Sequence, residues 1–218
     1  MPPTKQPIAG LLKHYLSMGK KHGVTYKCGE EVTSEMIKAE NPDAVVLATG
    51  GCPIIPKIDG VTNENVVTAL DILSGKKVAG KNVLVIGGGS VGVETADFLA
   101  ENLRNVTVVE MRDEVAIDEP NYPKIFLMER LRIYNVNILT SAMVTGILPN
   151  GITYKKSDEE LKLEGFDTIV LALGVRSYNP LEESLKNLDL EVHVIGDALK
   201  AGDAVDAILE GAQLAINI

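Results

Sequence analysis

The chain has no tryptophan, and only 4% of its residues are aromatic. Platforms for single-stranded nucleic acid stack successive bases on aromatics set in a basic groove. Neither part is present, because the net formal charge is −9. That sign argues against nucleic acid and against an anionic membrane surface as partners, and an acidic surface of itself confers solubility. Cysteine is equally scarce. Cys28 and Cys52 are the two present, with no Cys-x-x-Cys, so a disulfide framework or thiolate metal site is not expected and a reducing, cytoplasmic setting is. The three histidines, His14, His22 and His193, do not fall in ligand spacing. No apolar run approaches the roughly 20 residues of a membrane-spanning helix. The opening Met1-Pro-Pro-Thr-Lys-Gln-Pro7 lacks the apolar core of a signal peptide and reads as a linker. No nucleophilic triad or carboxylate pair stands out, so no catalytic residue is assigned.

What the chain does have is glycine at telling positions. Val83-Leu-Val-Ile-Gly-Gly-Gly-Ser-Val-Gly-Val-Glu94 is an apolar run ending in Gly87, Gly89 and Gly92, with Ser90 and Val91 between the last two. A helix-like segment follows, then Val106-Thr-Val-Val-Glu110. In a nucleotide-binding βαβ unit the first glycine allows a tight strand-to-helix turn. The second has no side chain to obstruct a pyrophosphate, and the third lets helix and strand pack closely. The diphosphate then meets the positive end of the helix and its free N–H groups. Glu110 lies 23 residues past Gly87, close to the expected spacing of about 20 for an acid that accepts hydrogen bonds from the adenosine ribose. A plain βαβ turn is the competing reading. Glu94 is read as a solvated first-turn acid favoured by the helix dipole, in preference to a group at the nicotinamide end.

Periodicity places the other elements. Ile8 to Lys21 has helical spacing, Val24 to Tyr26 begins a short strand, and Thr33 caps a helix over Ser34–Glu40 that Asn41-Pro42 ends. Ala44 to Ala48 is a continuous apolar run, as expected of a strand buried on both faces, and Thr49-Gly50-Gly51 follows it. Val66 to Leu73 reads as helical. A βαβαβ unit spans Lys81 to about Leu139, with Val91, Thr95, Phe98 and Leu99 on one face of its first helix. Three short alternating pieces between Ala142 and Leu163 form an antiparallel meander. Thr168 to Leu173 is another buried strand, ending at Gly174. Asp43-Ala-Val-Val-Leu-Ala-Thr-Gly50 echoes Asp167-Thr-Ile-Val-Leu-Ala-Leu-Gly174, as two domains of one type would. The chain closes with Val192-His-Val-Ile-Gly-Asp197 and a helix over about Val205–Ile216. Gly196 gives access there, and Asp197 either bonds a sugar or ribitol hydroxyl or caps that helix.

Together these signals resemble the two-dinucleotide-binding-domain flavoproteins. Ala48-Thr-Gly50 is similar to their crossover motif beside FAD, Gly87 to Glu110 to their NAD fingerprint, and Gly196-Asp197 to their closing FAD motif. Val108-Val-Glu-Met-Arg-Asp-Glu-Val115 and Val194-Ile-Gly-Asp-Ala198 are similar to segments of the C-terminal region of Old Yellow Enzyme-like NADH:flavin oxidoreductases of the 2-enoate reductase and 2,4-dienoyl-CoA reductase type. The resemblance implies an α/β fold. A Rossmann-like parallel sheet with an inserted meander binds NAD(H) over residues 59–177, with Gly174 on the same site. An incomplete second Rossmann-like domain for FAD covers 1–58 and 178–218, with Thr49, Gly50, Gly196 and Asp197 lining part of its site. It further implies that hydride passes from NADH to FAD, and that electrons continue to an activated C=C substrate in a catalytic barrel carrying FMN and an iron–sulfur cluster.

The family's FAD domain opens with its own glycine fingerprint, and none precedes Ile8. The barrel is also absent from the chain. The chain is therefore expected to be a C-terminal fragment with a complete NAD site and weak or absent FAD binding, inactive alone, with an apolar sheet edge open to a second copy. Two features favour the enoate-reductase type. Little sequence follows Gly196-Asp197, unlike glutathione-reductase-type enzymes, and the middle domain lacks the Cys-x-x-Cys of thioredoxin-reductase-type enzymes. The alternatives are a stand-alone redox-sensing module and a ferredoxin- or rubredoxin-reductase-type flavoprotein. NADH is expected over NADPH, since Glu110 repels a 2′-phosphate, and Arg112 is the residue that opposes this choice.

Overall fold

The computed structural model describes residues 2–186 and 188–218. They form two compact units, one of residues 2–17 with 53–174 and the other of residues 18–52 with 175–218. In chain order the elements are helices α1 (Ile8–Lys21) and α2 (Ser34–Glu40), strands β1 (Ala44–Leu47), β2 (Gly51–Pro53) and β3 (Val66–Thr68), and helix α3 (Ala69–Leu73). Next come β4 (Asn82–Ile86), α4 (Ser90–Glu101), β5 (Asn105–Val109), α5 (Asn121–Ile133) and β6 (Asn137–Leu139). The strands β7 (Met143–Leu148), β8 (Gly151–Lys156), β9 (Glu159–Glu164), β10 (Thr168–Leu171) and β11 (Val175–Ser177) follow. The chain ends with α6 (Glu182–Leu185), β12 (Glu191–Val194) and α7 (Ala204–Asn217).

In the first unit, five parallel strands lie in the order β3-β10-β4-β5-β6. The period-2 alternation of side chains along each strand splits the apolar runs between two faces. Val83, Val85, Val106, Val108 and Val170 face helices α3, α4 and α5, where Ile72, Val93, Leu99, Leu127 and Leu131 cover them. Leu84, Ile86, Val109, Ile169 and Leu171 face the other way, onto Ile147, Ile152 and Tyr154 of the antiparallel β7-β8-β9 meander. Both faces are thus covered, which is why these strands are continuous apolar runs.

Two sequence expectations need correction in this unit. Val66–Leu73 is a strand followed by a helix. Thr68 sits in mid-run, where its hydroxyl accepts from the Asp71 N–H and the Asp71 carboxylate accepts from the Thr68 N–H. This capping box starts α3 at Ala69 and leaves Val66–Thr68 free to pair with β10. The hydroxyl of Thr68 also holds the Asp71 carboxyl below its usual range. On α4, Val91 is 46% exposed. The buried face comprises Gly92, Val93, Thr95, Ala96, Asp97, Leu99 and Ala100, and Phe98 packs beside it. Glu94 is not a solvated acid but is paired with Lys5 Nζ at 2.7 Å, and this contact holds the Lys5 ammonium above its usual range. Asp97, 1% exposed, receives the Arg130 guanidinium through both Nε and Nη2, which ties α4 to α5.

In the second unit, α2 begins at the Thr33 cap and ends at Asn41, which is left-handed at φ 46°. Strands β1 and β12 form a parallel pair in a two-stranded sheet. Here too the sequence expectation changes. Among the described residues β12 is the one strand beside β1 in this sheet, and β1 is not buried on both faces, with Val46 44% exposed. Val24–Tyr26 forms no strand. Leu47, Ile37 and Leu185 make the small core of this unit.

Candidate functional site

The sheet order reverses direction at β4. The chain leaves that strand toward β5 and β6, while β10 lies on its other side. Ligands of open α/β sheets bind outside the carboxyl ends of the strands at such a switch point. A crevice of about 380 Å³ opens there, within the roughly 300–1,000 Å³ of typical ligand pockets. It is lined by Ile86, Gly87, Gly89, Ser90 and Val91 from the end of β4 onward, by Val109, Glu110 and Arg112 from the end of β5 onward, and by Ala172, Leu173 and Gly174 after β10.

Close backbone approach explains two of the glycines. Gly87 has φ +105°, and a Cβ on it would lie 2.4 Å from the Ala172 carbonyl oxygen. A Cβ on Gly92 would lie 1.9 Å from the Gly87 carbonyl oxygen. Helix and strand therefore meet at a distance that only glycine permits. Gly89 differs. It has ordinary φ of −67° and caps α4 without a side-chain hydrogen bond, and its surroundings are open except for Asp118 Oδ2, which would lie 3.2 Å from a Cβ at this position. The first turn of α4 thus presents uncapped backbone N–H groups to the crevice.

Glu110 is 8% exposed. Its Oε2 accepts from the Gly88 N–H at 2.6 Å and its Oε1 from the Arg112 N–H at 2.8 Å. The acid is clamped against the glycine turn, and a carboxylate whose two oxygens each accept one such bond keeps further lone pairs open at the crevice it lines. The turn itself is pinned by Gly87 N–H to Val109 O and by Ala116 N–H to Gly88 O. Gly89, Ser90, Val91 and Glu110 are thus brought together with Gly174, which contributes φ +89°. Glu94 lies elsewhere, in a hollow with Lys5 and Arg130.

The second unit has a hollow of its own, lined by Ala48, Gly50, Gly196, Asp197, Gly202 and Asp203 among others. Gly50 and Gly196 both have positive φ, +76° and +61°. Thr49 is not among the lining, and its hydroxyl donates to the Tyr178 carbonyl at 2.5 Å. Asp197 does not cap the last helix. Its Oδ1 accepts from the Gly202 N–H, and Asp203 is the cap of α7, accepting from Val205 and Asp206 N–H groups. Sequence reading missed Glu210, whose Oε2 accepts the Gly196 N–H at 2.6 Å, and Asp118. Neither stands in a motif, and only the folded positions of α7 and of the loop before α5 reveal them. Among the described residues no cluster of three or more histidine, cysteine or acidic groups is arranged for a metal, and no helix is long and apolar enough to cross a membrane.

Over residues 5–198 the chain matches the pyridine nucleotide-disulphide oxidoreductase family. It belongs to that family. It is accordingly a domain of the FAD- and NAD(P)-binding oxidoreductase type. The NADH oxidase of Thermoanaerobacter brockii is 38% identical over 201 residues, covering 90% of this chain and 31% of that protein. The bilirubin reductase of Mediterraneibacter gnavus is 33% identical over 218 residues, covering 100% and 34%. Among solved structures, that of a 2-naphthoyl-CoA reductase in complex with 2-naphthoyl-CoA superimposes with a TM-score of 0.93 at 29% identity, covering all of this chain and 33% of that one. The chain spans about a third of the length of each of these relatives.

Proposed function

We propose that residues 53–174 bind NADH and that the chain is the electron-input part of a larger NADH-dependent flavin oxidoreductase. The observation that carries this reading is the Glu110 carboxylate held by the Gly88 N–H at the mouth of the glycine turn. The residues fit the dinucleotide. The uncapped start of α4 at Gly89, Ser90 and Val91 would hold its diphosphate. Glu110 would take the adenosine ribose, and Gly174, at the end of β10, would leave room toward the nicotinamide. When bound, NADH supplies a hydride and FAD accepts it. The chain's own work is orientation, and no side chain is needed as acid, base or nucleophile.

The fit to FAD is partial. Gly50, Gly196 and Asp197 form one side of a hollow, with Glu210 holding the Gly196 turn. This chain carries a single G-x-G-x-x-G, at Gly87, so the second unit offers FAD no glycine turn of that kind for its pyrophosphate. In the parent protein we assign the next step to reduction of an activated C=C bond, such as a 2-enoate or enoyl-CoA, in a separate barrel. The resemblance of Val108–Val115 and Val194–Ala198 to enoate-reductase-type proteins supports this, as do relatives named as reductases of bilirubin and of 2-naphthoyl-CoA. FMN and an iron–sulfur cluster would belong to that barrel.

Titration of the chain with NADH, NADPH and FAD tests the reading. NADH is expected to bind more tightly than NADPH, because a buried carboxylate at the ribose disfavours a 2′-phosphate, and FAD is expected to bind weakly. Tighter binding of NADPH would overturn the choice of coenzyme. A protein that purifies with one tightly held FAD would overturn the assignment of a partial flavin site.

A further inference from the structure

Three charged side chains line the crevice: Glu110, Arg112 and Asp118. They run along one wall. The Arg112 N–H donates to Glu110 Oε1 at 2.8 Å, the Arg112 Nη1 lies 3.8 Å from Asp118 Oδ1, and Asp118 Oδ2 stands so close to Gly89 that a Cβ there would lie 3.2 Å from it. The Arg112 side chain is therefore flanked by an acid at each end. Both Arg112 and Asp118 are solvent-accessible, with side chains 58% and 63% exposed.

Resting on the assignment of this crevice to a nicotinamide dinucleotide, we propose that Asp118 is a specificity-determining residue that acts through Arg112. An arginine just past the second strand is the group that would accommodate a 2′-phosphate, which carries about −1.5 to −2 charges at neutral pH. Here that guanidinium already faces a carboxylate. A 2′-phosphate entering beside Glu110 meets an arginine already engaged by the Asp118 carboxylate, whereas a ribose with a free 2′-hydroxyl makes no demand on that arginine. Asp118 also stands beside Gly89, where the diphosphate common to both coenzymes would lie. Its removal therefore helps both coenzymes a little, and helps the one with the extra phosphate more. Discrimination against NADPH is thus shared between Glu110 and the Arg112–Asp118 pair.

The test compares dissociation constants for NADH and NADPH in the unaltered chain, Asp118→Asn, Arg112→Gln and the double variant. Asp118→Asn is expected to tighten NADPH about fivefold more than NADH, the scale of one exposed charge pair. That extra gain is expected to shrink as salt is raised. In the Arg112→Gln background the extra gain disappears, since no guanidinium remains to be released. Equal tightening of both coenzymes, no tightening, or an extra gain that survives without Arg112 overturns the proposal and leaves the crevice assignment standing. Failure of the unaltered chain to bind either coenzyme would overturn the crevice assignment and this proposal with it.

Discussion

Gly92→Ala will destabilise the first unit and abolish dinucleotide binding together. The added Cβ would sit 1.9 Å from the Gly87 carbonyl oxygen and 2.9 Å from its carbonyl carbon. Backbone cannot swing aside as a side-chain tip does, so α4 and the end of β4 must separate. Forced overpacking of this kind costs about 3 kcal/mol at its upper range, which corresponds to a fall of about 6–12 °C in the unfolding temperature of a chain this size. Gly89→Ala provides the contrast. At φ −67° alanine is at ease, and its Cβ meets only Asp118 Oδ2, at 3.2 Å. The fold loses about 1 kcal/mol through the poorer helix cap, while the methyl group points to where the diphosphate would lie. Thermal unfolding and NADH titration of both variants check this. A Gly89→Ala protein that binds NADH undiminished would show that the phosphates do not approach this turn.

Glu110→Ala carries the second large effect. It removes the acceptor of two backbone N–H groups, those of Gly88 and Arg112. A buried donor left without a partner costs about 1–3 kcal/mol, so the turn loosens even without coenzyme. Hydrogen bonds to a charged group contribute about 1.5–3 kcal/mol, and loss of the ribose contact therefore weakens NADH binding by about 10- to 100-fold. NADPH is expected to lose less, because it gains relief from like-charge repulsion. The ratio of the two affinities is thus the diagnostic quantity, since general loosening of the turn would weaken both alike. Glu110→Gln, which keeps the volume and one acceptor oxygen, is expected to fall between the two proteins in stability and to shift the ratio in the same direction.

The glycine turn and the acid of the crevice we assign to the nucleotide stand together in the sequence because their logic is local. Gly87, Gly89 and Gly92 stand within one turn, and Glu110 ends the next strand. The doubly covered sheet was legible as well, since Val83–Ile86 and Thr168–Leu171 are apolar throughout. Where reading failed, the deciding partner was distant or the signal was split. Val66–Leu73 looks like one helical stretch until the Thr68–Asp71 box divides it. Glu94 found Lys5, far upstream in the chain, and no periodicity announces such a pair. Val46 is exposed because the sheet to which β1 belongs has two strands, a fact of topology and not of composition. Val24–Tyr26 has strand-like residues but no partner strand, and β-propensity without pairing forms no ladder. Asp118 and Glu210 lie outside every motif, and only the fold brings them to Gly89 and to Gly196.

The backbone amides at the start of α4 report most directly on the central claim. Their NMR chemical shifts, followed while NADH is added, are predicted to move most at Gly88, Gly89, Ser90 and Val91, with Glu110 and Arg112 next. Saturating shifts confined to the second unit, around Gly50 and Gly196, with the Gly88–Val91 amides unmoved, would contradict the account.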